Sequence, residues 1–227
     1  SSQATVHDNC SVPCVPDVSF ASGHQDALEY PPISKETVAQ FWVVNPSTFS
    51  DPTVPSSYTY VGSPANTIDV YWGNSTTDQA AIEITSIYYS GTSYINQKNF
   101  CDPNSSRATE SGFFCQTWSN TGITTNPPSI QTTSSTSSSF TYKAQIPIQP
   151  DTIMIRTRFL YTFSNQPVAL RGVGTCGQPC SIPPQARIVL SSGTAGSAER
   201  KIQFFSLDKV LLPYLDFAIF SAGAISK

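Results

Sequence analysis

The chain has 227 residues, of which 12% are charged, and a net charge of −3. Charged residues usually make up about 25% of a soluble domain, so Ser, Thr, Asn, Pro and Gly supply the polarity here, as on many secreted surfaces. This balance leaves no basic footprint for phosphate and argues against nucleic acid as a partner, while the length suits one large β domain or two small ones.

Residues 1–35 are Pro-rich, hold both histidines, His7 and His24, and lack sustained periodicity. They read as an irregular lead-in pinned by Cys10 and Cys14, with a single β-rich domain over 36–227. The run 36–44 (ETVAQFWVV) is rich in β-branched and aromatic residues and stops at Asn45-Pro46, although 35–41 could also wind as a helical turn. Residues 67–72 (TIDVYW) alternate Ile68, Val70 and Trp72 against Asp69 and Tyr71, as in a strand with one dry face, and Gly73-Asn74 closes it. Residues 80–89 (AAIEITSIYY) set Ile82 and Ile84 against Glu83 and Thr85, then change phase at Ile87, which points to a bulge. Ser90-Gly91 turns the chain, so 92–100 can return as a hairpin partner.

Residues 101–115 contain Asp102-Pro103-Asn104 and Ser111-Gly112 and read as a stapled surface loop. Residues 119–139 are dominated by Ser and Thr; with too little apolar surface to offset their ordering entropy, they read as a mobile segment. The clearest alternation lies in 140–146 (FTYKAQI) and 153–162 (IMIRTRFLYT), the latter with Ile153, Ile155, Phe159 and Tyr161 inward and Arg156 and Arg158 outward. Shorter candidates follow at 168–171, 187–191, 200–205 and 215–220, and 208–215 could form a helical turn. Strands at this spacing predict a mainly β fold: an antiparallel sheet or sandwich with long stapled loops and little helix.

Six cysteines fall into three close groups, Cys10 with Cys14, Cys101 with Cys115, and Cys176 with Cys180. An even count in such groups fits an oxidising compartment, outside the cell or at its surface. Connectivity stays open, with local pairing the simplest arrangement and Cys101–Cys115 the foremost. A zinc site is the rival, but both short pairs are C-x3-C, enclose Pro13 or Pro179, and have no histidine at ligand spacing, so neither metal nor cofactor is expected. No apolar run approaches the ~18 residues that span a bilayer, and no leader pattern opens the chain, so export is expected to be encoded in a preceding segment. Asn9, Asn74 and Asn104 each begin an Asn-X-Ser/Thr acceptor and are candidate glycosylation sites in a glycosylating host.

Residues 172–177 (GVGTCG) match G-x-G-x-x-G, but Pro179, Pro183 and Pro184 follow where a dinucleotide site needs a helix, so a stapled turn is the reading. A nucleophile pair needs an imidazole held within hydrogen-bond reach, and His7 and His24 both precede any firm strand. Asp69 and Glu83 could sit on neighbouring strands as a carboxylate pair, yet their alternation points them to a solvated face. No catalytic residue is therefore assigned, and the chain is not expected to be an enzyme. Trp42 and Trp72 fall within dry-face patterns and read as core; Trp118, beside Cys115, is the candidate for an exposed aromatic contact.

Taken in order, 67–73 (TIDVYWG), 80–89, 94–107 ending in DPNSSR, 140–146, 153–161 and the tail from AERKIQFF to LPYLDFAIFSAG resemble the globular head of bacterial type IV pilin-like surface proteins of the PilX-type minor pilin group. The resemblance implies an assembly role, in which an amino-terminal hydrophobic helix packs into a filament and a β-rich head faces outward. That helix has no counterpart in these residues, so the chain corresponds to a soluble head. The implied function is an extracellular structural or adhesive subunit, with other pilus or surface subunits as partners and host or cell-surface glycans as further ones. In that role 101–139 and 172–184 present variable surface. The alternative is a secreted carbohydrate-binding module whose exposed aromatics, Trp118 first, stack on sugars.

Overall fold

The computed structural model describes residues 3–7, 27–44, 67–89, 94–112, 115, 122–132, 137–147, 149, 151–173, 182, 186–195 and 198–207. Cys10, Cys14, Cys176, Cys180, Asn9, His24, Trp118 and the expected elements at 208–220 lie outside them.

Two antiparallel sheets carry the core. One has the order β2 (Leu28–Ile33), β12 (Gln166–Val173), β4 (Thr67–Trp72), β10 (Tyr142–Pro147) and β7 (Thr124–Thr125). The other runs β3 (Val38–Trp42), β11 (Thr152–Leu160), β5 (Ala81–Tyr89) and β6 (Tyr94–Cys101). Strands β1 (Gln3–His7), β13 (Ala186–Ala195) and β14 (Ala198–Leu207) form a third sheet, and β8 (Ile130–Gln131) pairs with β9 (Ser137–Ser138).

Period-two alternation decides which face of each strand is dry. Ile68, Val70 and Trp72 of β4, Val168 and Leu170 of β12 and Tyr142, Ala144 and Ile146 of β10 meet Phe41 of β3, Ile155 and Phe159 of β11 and Ile82 and Ile84 of β5 in one buried cluster. The fold is thus a β-sandwich, closed across the layers by an edge contact between Tyr30 and Phe41, whose ring centroids lie 5.5 Å apart. Trp42 and Trp72 are both buried, as their patterns predict.

Several expectations are corrected. Strand β4 is buried at all six positions rather than dry on one face, because it is the central strand of its sheet and its outer face is also covered. That cover comes from the Ser/Thr-rich segment: Ile130 packs with Ala27, Tyr71, Phe140 and Ala169, and the Ala27 N–H donates to the Gln131 carbonyl. One apolar side chain and a few hydroxyl contacts thus place part of a stretch whose composition suggested mobility. Residues 28–33, within the expected irregular lead-in, form β2 and pair with β12; His7 lies in β1. Residues 38–42 are strand, not helix, with Glu36 at φ 63° in the turn before them. The phase change near Ile87 does mark a bulge, but the extra residue is in β11, where Thr152 faces Tyr88 and Met154 faces Ile87. The 101–115 loop holds a short helix, α1 (Ser105–Ser111), capped by Asn104 and ended by Gly112 at φ 73°.

Both carboxylates expected on a wet face are buried, and they lie in different sheets. Glu83 of β5 faces Arg158 of β11 across the ladder, bonds to its guanidinium, and takes Lys98 Nζ at 2.7 Å. Asp69 of β4 takes Lys143 Nζ at 2.9 Å and the Gln145 amide at 3.0 Å. Arg156, expected outward, is buried as well. Charge alternates along these strands, but each carboxylate is paired with cations from neighbouring strands, which offsets the cost of burying it.

Candidate functional site

At one end of the sandwich, two connections cross between the sheets. Residues 73–80 lead from β4 to β5, and 161–165 lead from β11 to β12. Gly73, at φ 85°, lets the chain leave β4 tightly under the Tyr142 ring; a Cβ there would stand 2.9 Å from Tyr142 Cδ2. The indole N–H of Trp72 donates to the Ala80 carbonyl at 2.9 Å and closes this connection from inside.

Asp78 holds the two connections together. Its Oδ1 accepts the Phe163 N–H at 3.0 Å; its Oδ2 accepts the Thr162 hydroxyl at 2.8 Å, the Ser164 hydroxyl at 2.8 Å and the Gln166 amide at 2.7 Å. Gln166 is fully buried, and its carbonyl oxygen accepts the Asn74 N–H at 3.3 Å. Burial pushes the Asp78 carboxyl up, but the hydrogen bonds from Ser164, Thr162 and the Phe163 and Ser164 backbone outweigh it and hold the group below its ordinary value.

The turn so held presents two aromatic rings. Phe163 is 95% exposed and Tyr161 46% exposed, although the sequence pattern placed Tyr161 inward. The strand ends at Leu160, and Tyr161 takes a left-handed φ of 54°, which turns its ring out of the sandwich. A non-glycine residue in that region is held there by its surroundings, and such strain gathers at sites of contact. Gln79, in the facing connection, has a φ of 30°.

Helix α1 braces this end. The Arg107 guanidinium binds both oxygens of the buried Asp102 carboxylate, each at 2.9 Å, donates to the Gln79 carbonyl, and lies 5.1 Å from the centroid of the Tyr161 ring. Asn104 accepts the Arg107 N–H through its side chain and donates to Gln79 Oε1 at 2.6 Å. Cys101 and Cys115 are bonded, with Cα atoms 4.3 Å apart, and fix the segment to the end of β6. Beyond the helix a groove of about 350 Å³ opens towards β7, with Ala108, Cys115 and Ile123 in its lining.

The expected site residues separate clearly. Cys101 and Cys115 come together; Asn74 is exposed in the β4–β5 connection; Asn104 is a helix cap. Gly172 and Val173 lie in β12, opposite Ile68 and Thr67, so the start of the Gly-rich motif is sheet. The aromatic turn and Asp78 were not picked out from the sequence. Their one visible signal is Phe163 itself, a large apolar ring set among Thr162, Ser164 and Asn165 where a polar turn belongs. Among the described residues, no group of three or more His, Cys, Asp or Glu side chains is placed to hold a metal, and no helix is long and apolar enough to cross a membrane. No family model, curated protein or solved structure matches the chain.

Proposed function

We propose that the chain is an extracellular structural or adhesive subunit that makes contact through the aromatic turn at 161–165. One observation carries this reading: a phenylalanine 95% exposed stands on a turn whose backbone is tied to a buried carboxylate. A turn whose backbone is fixed before contact loses little backbone entropy on binding, and a large aromatic ring displayed on it can act as an anchor. The low charge and the Cys101–Cys115 bond support a place outside the cytosol. In the assembly role implied by the pilin-like resemblance, the partner is a neighbouring surface or filament subunit, and the chain performs no reaction.

The second reading is a carbohydrate-binding module. It is favoured by the Asn74 and Asn165 groups beside the exposed rings, since sugars take stacking from aromatics and hydrogen bonds from amides. Adhesion of the purified chain to cells that produce it, set beside a glycan array, separates the two. Phe163→Ala is expected to abolish cell adhesion with unchanged melting under the first reading and to remove glycan binding under the second. Adhesion and glycan binding both untouched by Phe163→Ala would remove the turn from the function, and turnover of a glycoside by the purified protein would overturn both readings.

A further inference from the structure

We propose that Asn74 is an N-glycan attachment site and that the fold withholds the other described acceptor, Asn104. Both begin an Asn-X-Ser/Thr triplet, Asn74-Ser75-Thr76 and Asn104-Ser105-Ser106, so sequence alone does not rank them. Their surroundings do. Asn74 and Thr76 are exposed in the β4–β5 connection, where the Ser75 and Thr77 hydroxyls bond at 2.7 Å and the Thr77 N–H donates to Ser75 Oγ at 3.1 Å in a local turn. Asn74 Nδ2 makes one exposed contact, to the Asn165 carbonyl at 3.3 Å. Asn104 is half-buried and held at both ends of its amide, Oδ1 by the Arg107 N–H at 3.1 Å and Nδ2 by Gln79 Oε1 at 2.6 Å. Its triplet also lies between the bonded Cys101 and Cys115 and enters α1 at Ser105.

The chemistry needs one co-reactant, an oligosaccharide carried on a lipid pyrophosphate. A bond forms between C1 of the first sugar and Asn74 Nδ2, the C1–oxygen bond to the pyrophosphate breaks, the lipid pyrophosphate leaves and Nδ2 gives up one proton. One Nδ2 hydrogen remains after the transfer, so the modified side chain still carries an amide donor. At Asn104 an added sugar would have to be accommodated beside Gln79 and the first turn of α1. A glycan on Asn74 starts next to the turn that carries Phe163 and would flank that ring; attachment itself does not depend on the adhesive reading.

The test is secretion of the chain from a eukaryotic host, followed by enzymatic glycan removal in heavy-oxygen water and peptide mass analysis. The Asn74 peptide is expected to carry the heavy-oxygen Asp tag, and Asn74→Gln or Thr76→Ala to abolish it without shifting the melting temperature. The Asn104 peptide is expected to be untagged in protein whose Cys101–Cys115 bond has formed. An untagged Asn74 peptide in folded, secreted protein overturns the proposal, as does tagging of Asn104 at comparable occupancy in disulfide-bonded protein.

Discussion

Asp78 fixes the backbone of the turn beneath the exposed Phe163 ring without touching the ring itself. Replacing it with Ala removes one acceptor from the buried Gln166 amide, which keeps its contacts to Thr162 and Ser164, and strips the acceptor from the Phe163 N–H; a donor left unpaired costs about 1–3 kcal/mol. Asp78→Ala is therefore expected to lower stability by about 1–3 kcal/mol in urea unfolding. Acid should act through the same group and through Glu83. Burial pushes Glu83 up, but hydrogen bonds from Lys98 and Arg158 and their charges hold it below its ordinary value. For a depressed carboxyl, the stabilisation is complete above the unfolded pKa, about 4 for Asp and Glu, and disappears as pH falls through the folded value beneath it. Melting temperature should thus be insensitive to these two groups from pH 7 to about 5 and fall below about pH 4. Asp78→Asn should show a shallower acid limb, and an unchanged limb would rule Asp78 out as a contributor.

Among the elements, the strands whose sequences carry a run of alternating apolar residues were legible: β4, β5, β10 and β11 stand close to where their patterns put them. Helix α1 was not legible. Seven residues cannot show three turns of periodicity, and its two ends, Asn104 and Gly112, look equally like loop residues until the cap hydrogen bonds are seen. Nor could pattern reading tell that Glu83 and Asp69 are buried. That fact depends on register, which sets Arg158 opposite Glu83 and sets Gln145 and Arg171 on either side of Asp69. The Cys101–Cys115 bond closes a sequence separation of 14 and secures α1 to β6. Loops of about 15 residues give roughly 3 kcal/mol on cross-linking, so Cys101→Ser with Cys115→Ser should lower unfolding stability by about that much. Equal midpoints for the two proteins in guanidinium would show that the bond adds nothing beyond the native contacts.

For the molecule as a whole, layer order should decide which parts open first. Strand β4 is buried at every position and hydrogen-bonded on both sides, by β10 and β12, whereas among the described residues β6 has a ladder neighbour only in β5. Amide exchange tracks such differences in local opening. The slowest amides are expected in β4, β5 and β11 and faster ones in β6 and α1, measured by exchange with mass or NMR detection. Exchange in β4 as fast as in β6 would contradict the sandwich arrangement. The sheets and the β5–β6 hairpin were readable from pattern, but the other strand neighbours were not: β4 is followed in sequence by β5, yet the two belong to opposite layers.

The hold of Asp78 on residue 163 runs through the backbone N–H, while the ring of that residue has almost no neighbours in the fold. Scaffold and payload are therefore uncoupled at this position. Any amino acid that retains a main-chain hydrogen can be grafted there with a change in stability of no more than about 0.5 kcal/mol, and proline alone is barred. Selection can exchange the displayed group as freely as a tool changes its bit, so new specificities can arise by single substitutions that leave the sandwich intact.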